Sequence, residues 1–350
     1  MRVATTQEEN DNEARRDDPA TLARGGRQAG PGRVGRGRGY VCRRCAGGAA
    51  MSAGGKMRVI HSFTDDSAVI RLEGLKKPVR MLHLTDTHLR FYDERDGENF
   101  QACVDYCQRI EKLNRERGIE PDPERALRQS MARAAREDLD LLALTGDIVH
   151  FPAPASVDFV VAQIDALGVP TIYTSGNHDV HYTNEPVNAA VRLTRLAALQ
   201  PLHRGDPDCA AREIGGIRFI SIDNSVPQLA RKQVDFVHAQ LQLGQPTALL
   251  FHWPLSLPTL RDSVLEVLGS PPLMGDPDWS LESRVSWQVS EDTPETLEFV
   301  DAVTTAPNVV AAFCGHVHFA HADAINTRAV QYVGAPGYEG GRRLVEFRPL

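Results

Sequence analysis

The stretch Thr174-Ser175-Gly176-Asn177-His178-Asp179 follows the run Val169-Pro170-Thr171-Ile172-Tyr173. That run is rich in β-branched and aromatic residues and predicts a strand. Gly176, just past its end, permits a tight turn. The turn then presents an amide, an imidazole and a carboxylate in succession. In open α/β sheets, ligands gather beyond the carboxyl ends of the strands. A Gly-Asn pair standing alone signals only a turn. It gains weight here because four other predicted strand ends carry matching groups.

Working outward from it, Val79–Leu84 reads as a buried strand ending in Thr85-Asp86-Thr87-His88. Asp86 and His88 lie two apart, on one face of an extended backbone. The strand 140–144 ends in Thr145-Gly146-Asp147, and 247–251 ends in His252. The strand 309–313 ends in Cys314-Gly315-His316-Val317-His318. A lone histidine after a strand is ordinarily a satisfied surface or core residue. Five such clusters built from oxygen and imidazole donors are not explained by packing. The donors exclude a zinc-thiolate site and suit manganese, iron or zinc. They are too rich in imidazole for calcium or magnesium. His83 sits inside its strand and is expected to be packed or hydrogen-bonded. Cys314, Cys103 and Cys107 read as packing residues.

Between these ends the chain alternates strand and helix. Helices are predicted around 100–113, from the N-cap Asp122 through Arg136, and over 156–167 with a stop at Gly168. The first half therefore reads as doubly wound. The second half brings a hairpin, 213–222, turning on Gly215-Gly216. Helices follow around 231–242 and 294–303, and short strands near 58–60, 68–72, 329–333 and 343–347. Two stretches stand out as insertions, 89–122 and the Pro-rich, irregular 254–293 with Trp279 and Trp287.

The 350 residues carry 39 basic and 46 acidic side chains, a formal charge of −7. Residues 1–56 differ from the rest, being Gly/Arg-rich with 11 basic and 6 acidic residues, which leaves −12 for 57–350. Such a segment cannot bury enough surface to order itself. It is expected to be a disordered extension or an over-long start, with Met51 or Met57 as the true beginning. A basic nucleic-acid-binding tail with Cys42 and Cys45 is the competing reading, and a single C-x-x-C supports zinc weakly. Residues 57–350 are expected to form one domain. With six cysteines, no apolar run long enough for a membrane span and no secretory h-region, a reduced cytoplasmic protein is expected. The acidic balance of the globular part argues against a nucleic-acid partner and does not exclude a nucleotide substrate.

The order D-x-H, G-D, G-N-H-D, H, G-H-x-H, filled at every position between Asp86 and His318, resembles the calcineurin-like metallophosphoesterase family. The resemblance implies a four-layer α/β/β/α sandwich of two facing mixed sheets flanked by helices. It implies two metal ions of the Mn/Fe/Zn class and hydrolysis by a hydroxide held between them. Asp86, His88 and His318 would hold one metal, with Asp147 bridging to the other. Asn177, His252 and His316 would complete the second. His178 would not ligate, and would stabilise or protonate the leaving oxygen. Asp179 would either orient His178 or cap a helix. No member of the donor set is missing, which argues against a non-catalytic scaffold.

The V-D-R-G of protein serine/threonine phosphatases is absent, and His150 stands where purple acid phosphatases carry Tyr. We read His150 as a surface histidine in preference to a substrate contact. The pattern looks most like the bacterial phosphodiesterase branch, so a small phosphodiester is expected, with a phosphomonoester as the alternative. Trp279 and Trp287 would either roof the metals, an indole face stacking on a base, or pack the insertion onto the sheet.

Overall fold

A computed structural model describes residues 57–118 and 121–350; the extension expected over 1–56, with Cys42 and Cys45, lies outside the described residues. The strands are β1 (Val59–Phe63), β2 (Ser67–Leu72), β3 (Val79–Leu84), β4 (Leu141–Thr145), β5 (Thr171–Thr174) and β6 (Cys209–Ile214). They continue as β7 (Ile217–Ile222), β8 (Thr247–Leu250), β9 (Val309–Cys314), β10 (His321–Ala324), β11 (Val330–Val333) and β12 (Arg343–Pro349). They form two six-stranded sheets, ordered β1-β2-β12-β3-β4-β5 and β10-β11-β9-β8-β7-β6. Both are mixed: β3, β4 and β5 run parallel while β12 pairs antiparallel with β3. Likewise β7, β8, β9 and β11 run parallel, with β6 antiparallel at one edge and β10 at the other.

Side-chain alternation explains the layers. In β4, Leu141 and Ala143 point into the core between the sheets, and Leu142 and Leu144 into the core outside. In β8 and the residue after it, Ala248 and Leu250 face inward while Leu249 and Phe251 face the opposite outer layer. Because both faces are covered, these strands read as unbroken apolar runs. The outer layer of the first sheet is supplied by α2 (Pro123–Ala134), α3 (Pro154–Leu167) and α4 (Ala189–His203). That of the second comes from α5 (Arg231–Leu241), α6 (Pro258–Leu268) and α8 (Pro294–Thr305). The expected α/β/β/α sandwich is the fold observed.

One expectation needs correction, and one helix was not anticipated. The segment 254–293 is not irregular, since it holds α6 and the short α7 (Leu281–Ser286). Its prolines misled because Pro258 occupies the first turn of α6, where no N–H is lost. Helix α4 has no clear apolar period and carries Pro201, so nothing in the pattern announces it; Asn188 caps it by accepting from Val191 N. The remaining helix, α1 (Phe100–Arg117), runs longer than expected and ends at the left-handed Gly118. Among the described residues, no helix is long and apolar enough to cross a membrane.

Candidate metal centre

The carboxyl ends of β3, β4, β5, β7, β8 and β9 open onto one polar centre, tied together by backbone bonds between loops. Asp86 N donates to Gly146 O and His88 N to Asp147 O, so the loops after β3 and β4 run side by side. Gly315 N donates to His252 O, and Tyr338 N to Asp86 O. The approach is close. A Cβ on Gly176 would overlap Asp147 Oδ1, and one on Gly315 would overlap Asp86 Oδ2. Both positions therefore exclude any side chain.

Asp86 (φ 52°), His88 (45°), Asp147 (52°), His316 (75°) and His318 (57°) all adopt the left-handed region. For residues with a Cβ this costs on the order of 1–3 kcal/mol each and persists only where surroundings over-determine it. Here it turns five side chains toward one point.

Besides the set His88, His150 and His178, two donor groups share Asp147. Asp86, His88, Asp147 and His318 form one; Asp147, His252 and His316 form the other. In the first, His88 Nε2 lies 3.1 Å from His318 Nε2 and 3.8 Å from Asp147 Oδ2, and His318 Nε2 lies 3.3 Å from Asp86 Oδ1. In the second, His252 Nε2 lies 3.0 Å from Asp147 Oδ2. Donors about 2.1 Å from a shared ion, 90–180° apart, are separated by roughly 3.0–4.2 Å, so the spacing fits metal ions. The orphaned atoms agree. His252 Nε2, His316 Nε2 and Asn177 Oδ1 are buried without a hydrogen-bond partner, which is costly unless something else occupies them. His252 Nδ1 lies 2.9 Å from Thr145 O and must donate to that carbonyl, which leaves Nε2 as the nitrogen available to a cation.

Charge and burial act on the same atoms. Burial opposes ionisation of Asp147, but His252 first and His178 next hold its carboxyl well below the usual range. Burial draws His252 down, and the Asp147 carboxylate outweighs it, pushing the imidazole up to about 9. A cation between the two would take over that role. Burial keeps His316 far below the ordinary histidine value. Its ring stacks on Trp253 at 3.7 Å.

His178 is half-buried. Its backbone N–H donates to Asp147 Oδ1 at 2.9 Å, and its ring stacks on His150 at 4.4 Å and meets His88 edge-on. Asp179 neither orients His178 nor caps a helix. Its Oδ2 accepts from Gly176 N and Asp147 N, each at 2.7 Å, and its Oδ1 from Val149 N at 2.8 Å. It clamps the loop after β5 to the loop after β4.

His150 is not on the surface. It is 2 % exposed, stacked on Tyr106 at 4.2 Å, with Nδ1 3.0 Å from His88 Nδ1. Its sequence position beside Asp147 hid the fact that α1 covers it. Trp279 is buried against Trp253 and bonds Ser283, so it packs the insertion. Trp287 is half-buried, 5.8 Å from His316. His83 is buried and bonds Thr145 Oγ1 at 2.7 Å, as expected of a packed strand histidine.

One positioning residue escaped the sequence reading. Asn224 Oδ1 accepts from His252 N and Trp253 N while its Nδ2 donates to Trp253 O. Asp223-Asn224-Ser225 follows β7 as a polar triplet, the same signal as the other strand ends.

A family profile described as calcineurin-like phosphoesterase matches residues 79–320. A probable cyclic nucleotide phosphodiesterase of Synechococcus sp. is 32% identical over 148 residues, covering 38% of this chain and 53% of the relative. One of Psychrobacter arcticus is 25% identical over 183 residues, covering 49% and 58%. The chain thus spans a little over half the length of the curated relatives it matches. A dimetal phosphatase from Danio rerio, whose crystal structure covers 75% of this chain and 89% of its own, shows 14% identity and a TM-score of 0.44.

Proposed function

The chain belongs to the calcineurin-like phosphoesterase family, and from that premise we propose that it hydrolyses a small phosphodiester with two divalent cations of the Mn/Fe/Zn class. The observation that carries this reading is the Asp147 carboxylate, common to both donor groups. Asp86, His88 and His318 would hold one cation and Asn177, His252 and His316 the other, with Asp147 between. Bound there, the cations supply Lewis acidity toward phosphoryl oxygens and lower the pKa of water toward neutrality.

The residues of the chain do the rest. Backbone N–H groups fix the carboxylates: His316 N donates to Asp86 and His178 N to Asp147 Oδ1. Asn177 adds a neutral oxygen, so the centre keeps positive charge for an anionic ester. His178 would hold a proton at its imidazole for the departing oxygen. One ester P–O bond breaks as a P–O bond to water forms, the alcohol leaves with that proton, and the proton shed by the water passes to solvent, from which His178 is reprotonated. The names of the two curated relatives favour a diester, and a cyclic nucleotide is one such substrate. The four free thiols among the described residues accord with a reducing, cytoplasmic setting.

The test is metal analysis with a substrate panel. We expect about two ions per chain and, with manganese, a higher kcat/KM for bis-p-nitrophenyl phosphate than for the monoester. A monoester preference of roughly tenfold would overturn the diester assignment and leave the metal centre standing.

A further inference from the structure

Helix α1 carries Tyr106, Ile110, Leu113 and Asn114, spaced i, i+4, i+7 and i+8 and so sharing one face. The face borders the metal centre. With Arg90 and Tyr338 it lines a cleft of about 40 Å³ that also touches His88 and His318. Tyr106 and Ile110 are buried, while Leu113 and Asn114 are half-buried. Arg90 is half-buried and forms an ion pair with no described residue.

An apolar wall beside ligand histidines does nothing for a cation, which is served by oxygen and nitrogen. It does serve the organic part of an ester whose phosphorus lies over the centre. A water needs about 10–15 Å³ of such space, so the cleft admits about three, comparable to a few carbons of an ester arm. That suits an unbranched chain of a few carbons.

We propose that this cleft is a subsite for one ester arm of the substrate, and that the arm is slender and apolar. The half-buried Arg90 guanidinium offsets the negative charge of the diester beside it. The inference rests on the phosphodiesterase reading above and narrows it, from small diesters in general to those with a slim alkyl-like arm.

A homologous series of alkyl p-nitrophenyl phosphates, methyl to hexyl, tests it on the full-length manganese-loaded protein. Burying a methylene at the usual transfer free energy lowers KM about three- to fourfold. We expect that drop for each carbon up to about propyl, then a plateau, with kcat nearly constant. Leu113→Asp should abolish the dependence on length, and Arg90→Gln should raise KM for every arm by at least tenfold. Calorimetric binding of the corresponding dialkyl phosphates reads the same preference without turnover. A KM and a binding constant both indifferent to arm length in the unmodified protein would overturn the subsite. Length-dependent binding with no hydrolysis of any diester would instead overturn the phosphodiesterase reading and keep the subsite.

Discussion

Asp147 stands where the two donor groups meet, and removing its charge should act on both. Asp147→Asn is expected to lower occupancy of both metals and abolish turnover; a variant that still holds two ions per chain would refute the sharing. His178 differs because it belongs to neither group that contains Asp147, lying instead with His88 and His150. His178→Ala should keep its metals and lose rate by roughly 10²–10⁴-fold, as for a general acid, and metal loss would mean it ligates. His150 reaches the centre through His88. A ligating histidine relies on a partner for its second ring nitrogen, and here that partner is the His150 imidazole at 3.0 Å. His150→Ala should weaken manganese binding about 10- to 100-fold, measured by titration of the metal-free protein. Unchanged affinity would leave His150 a packing residue.

At the scale of elements, the centre depends on loops held against each other more than on any strand. Asp179 is the strongest of these ties, since one buried carboxylate satisfies three backbone N–H groups from two loops. Burial first, and the nearby Asp147 charge second, push its pKa up to about 7, so the tie is maintained against an electrostatic cost. Asp179→Ala leaves three buried donors unpaired at about 1–3 kcal/mol each. We expect the melting temperature to fall by roughly 6 °C or more, with Asn in that place recovering part of the loss. A melting curve that does not move would show that the loops are held by other contacts. Helix α1 is the element whose role the linear pattern concealed. It looked like an insertion, and it covers His150 and walls the cleft.

On the scale of the whole molecule, the inter-sheet core buries ionisable groups that set acid sensitivity. His61 lies between Tyr332 OH at 2.8 Å and Arg328 O at 2.7 Å. The carbonyl must accept, so Nε2 carries the proton and Nδ1 accepts from the tyrosine. Burial lowers its pKa to about 4, and burial likewise takes His83 down to about 3. Both are neutral when folded and titrate near 6.5 when unfolded. Their contribution is complete above pH 6.5 and is lost as pH falls through the window toward 4, because the unfolded chain binds protons the fold refuses. Each contributes a slope of roughly 1.4 kcal/mol per pH unit there. Urea midpoints between pH 6.5 and 4.5 should fall more steeply for the unmodified protein than for His61→Gln. Equal slopes would show that His61 accepts its proton inside the fold.

What the sequence determined by itself was the order of strands in the chain and the donor at each strand end. Apolar runs such as Leu141–Leu144 and Val309–Phe313 are visible in one dimension because both their faces are buried. Asp86, His88, Asp147, Asn177, His252, His316 and His318 follow those runs directly, so local pattern was enough to single them out as candidates. Only the tertiary structure decided which of them meet. Convergence depends on left-handed turns, on glycines at Gly176 and Gly315 that let loops touch, and on hydrogen bonds between loops far apart in sequence. The same holds for His150, Asn224 and Asp179. Each acts on a partner brought to it by strand pairing or by a covering helix, and a periodicity confined to neighbours along the chain carries no trace of such a partner.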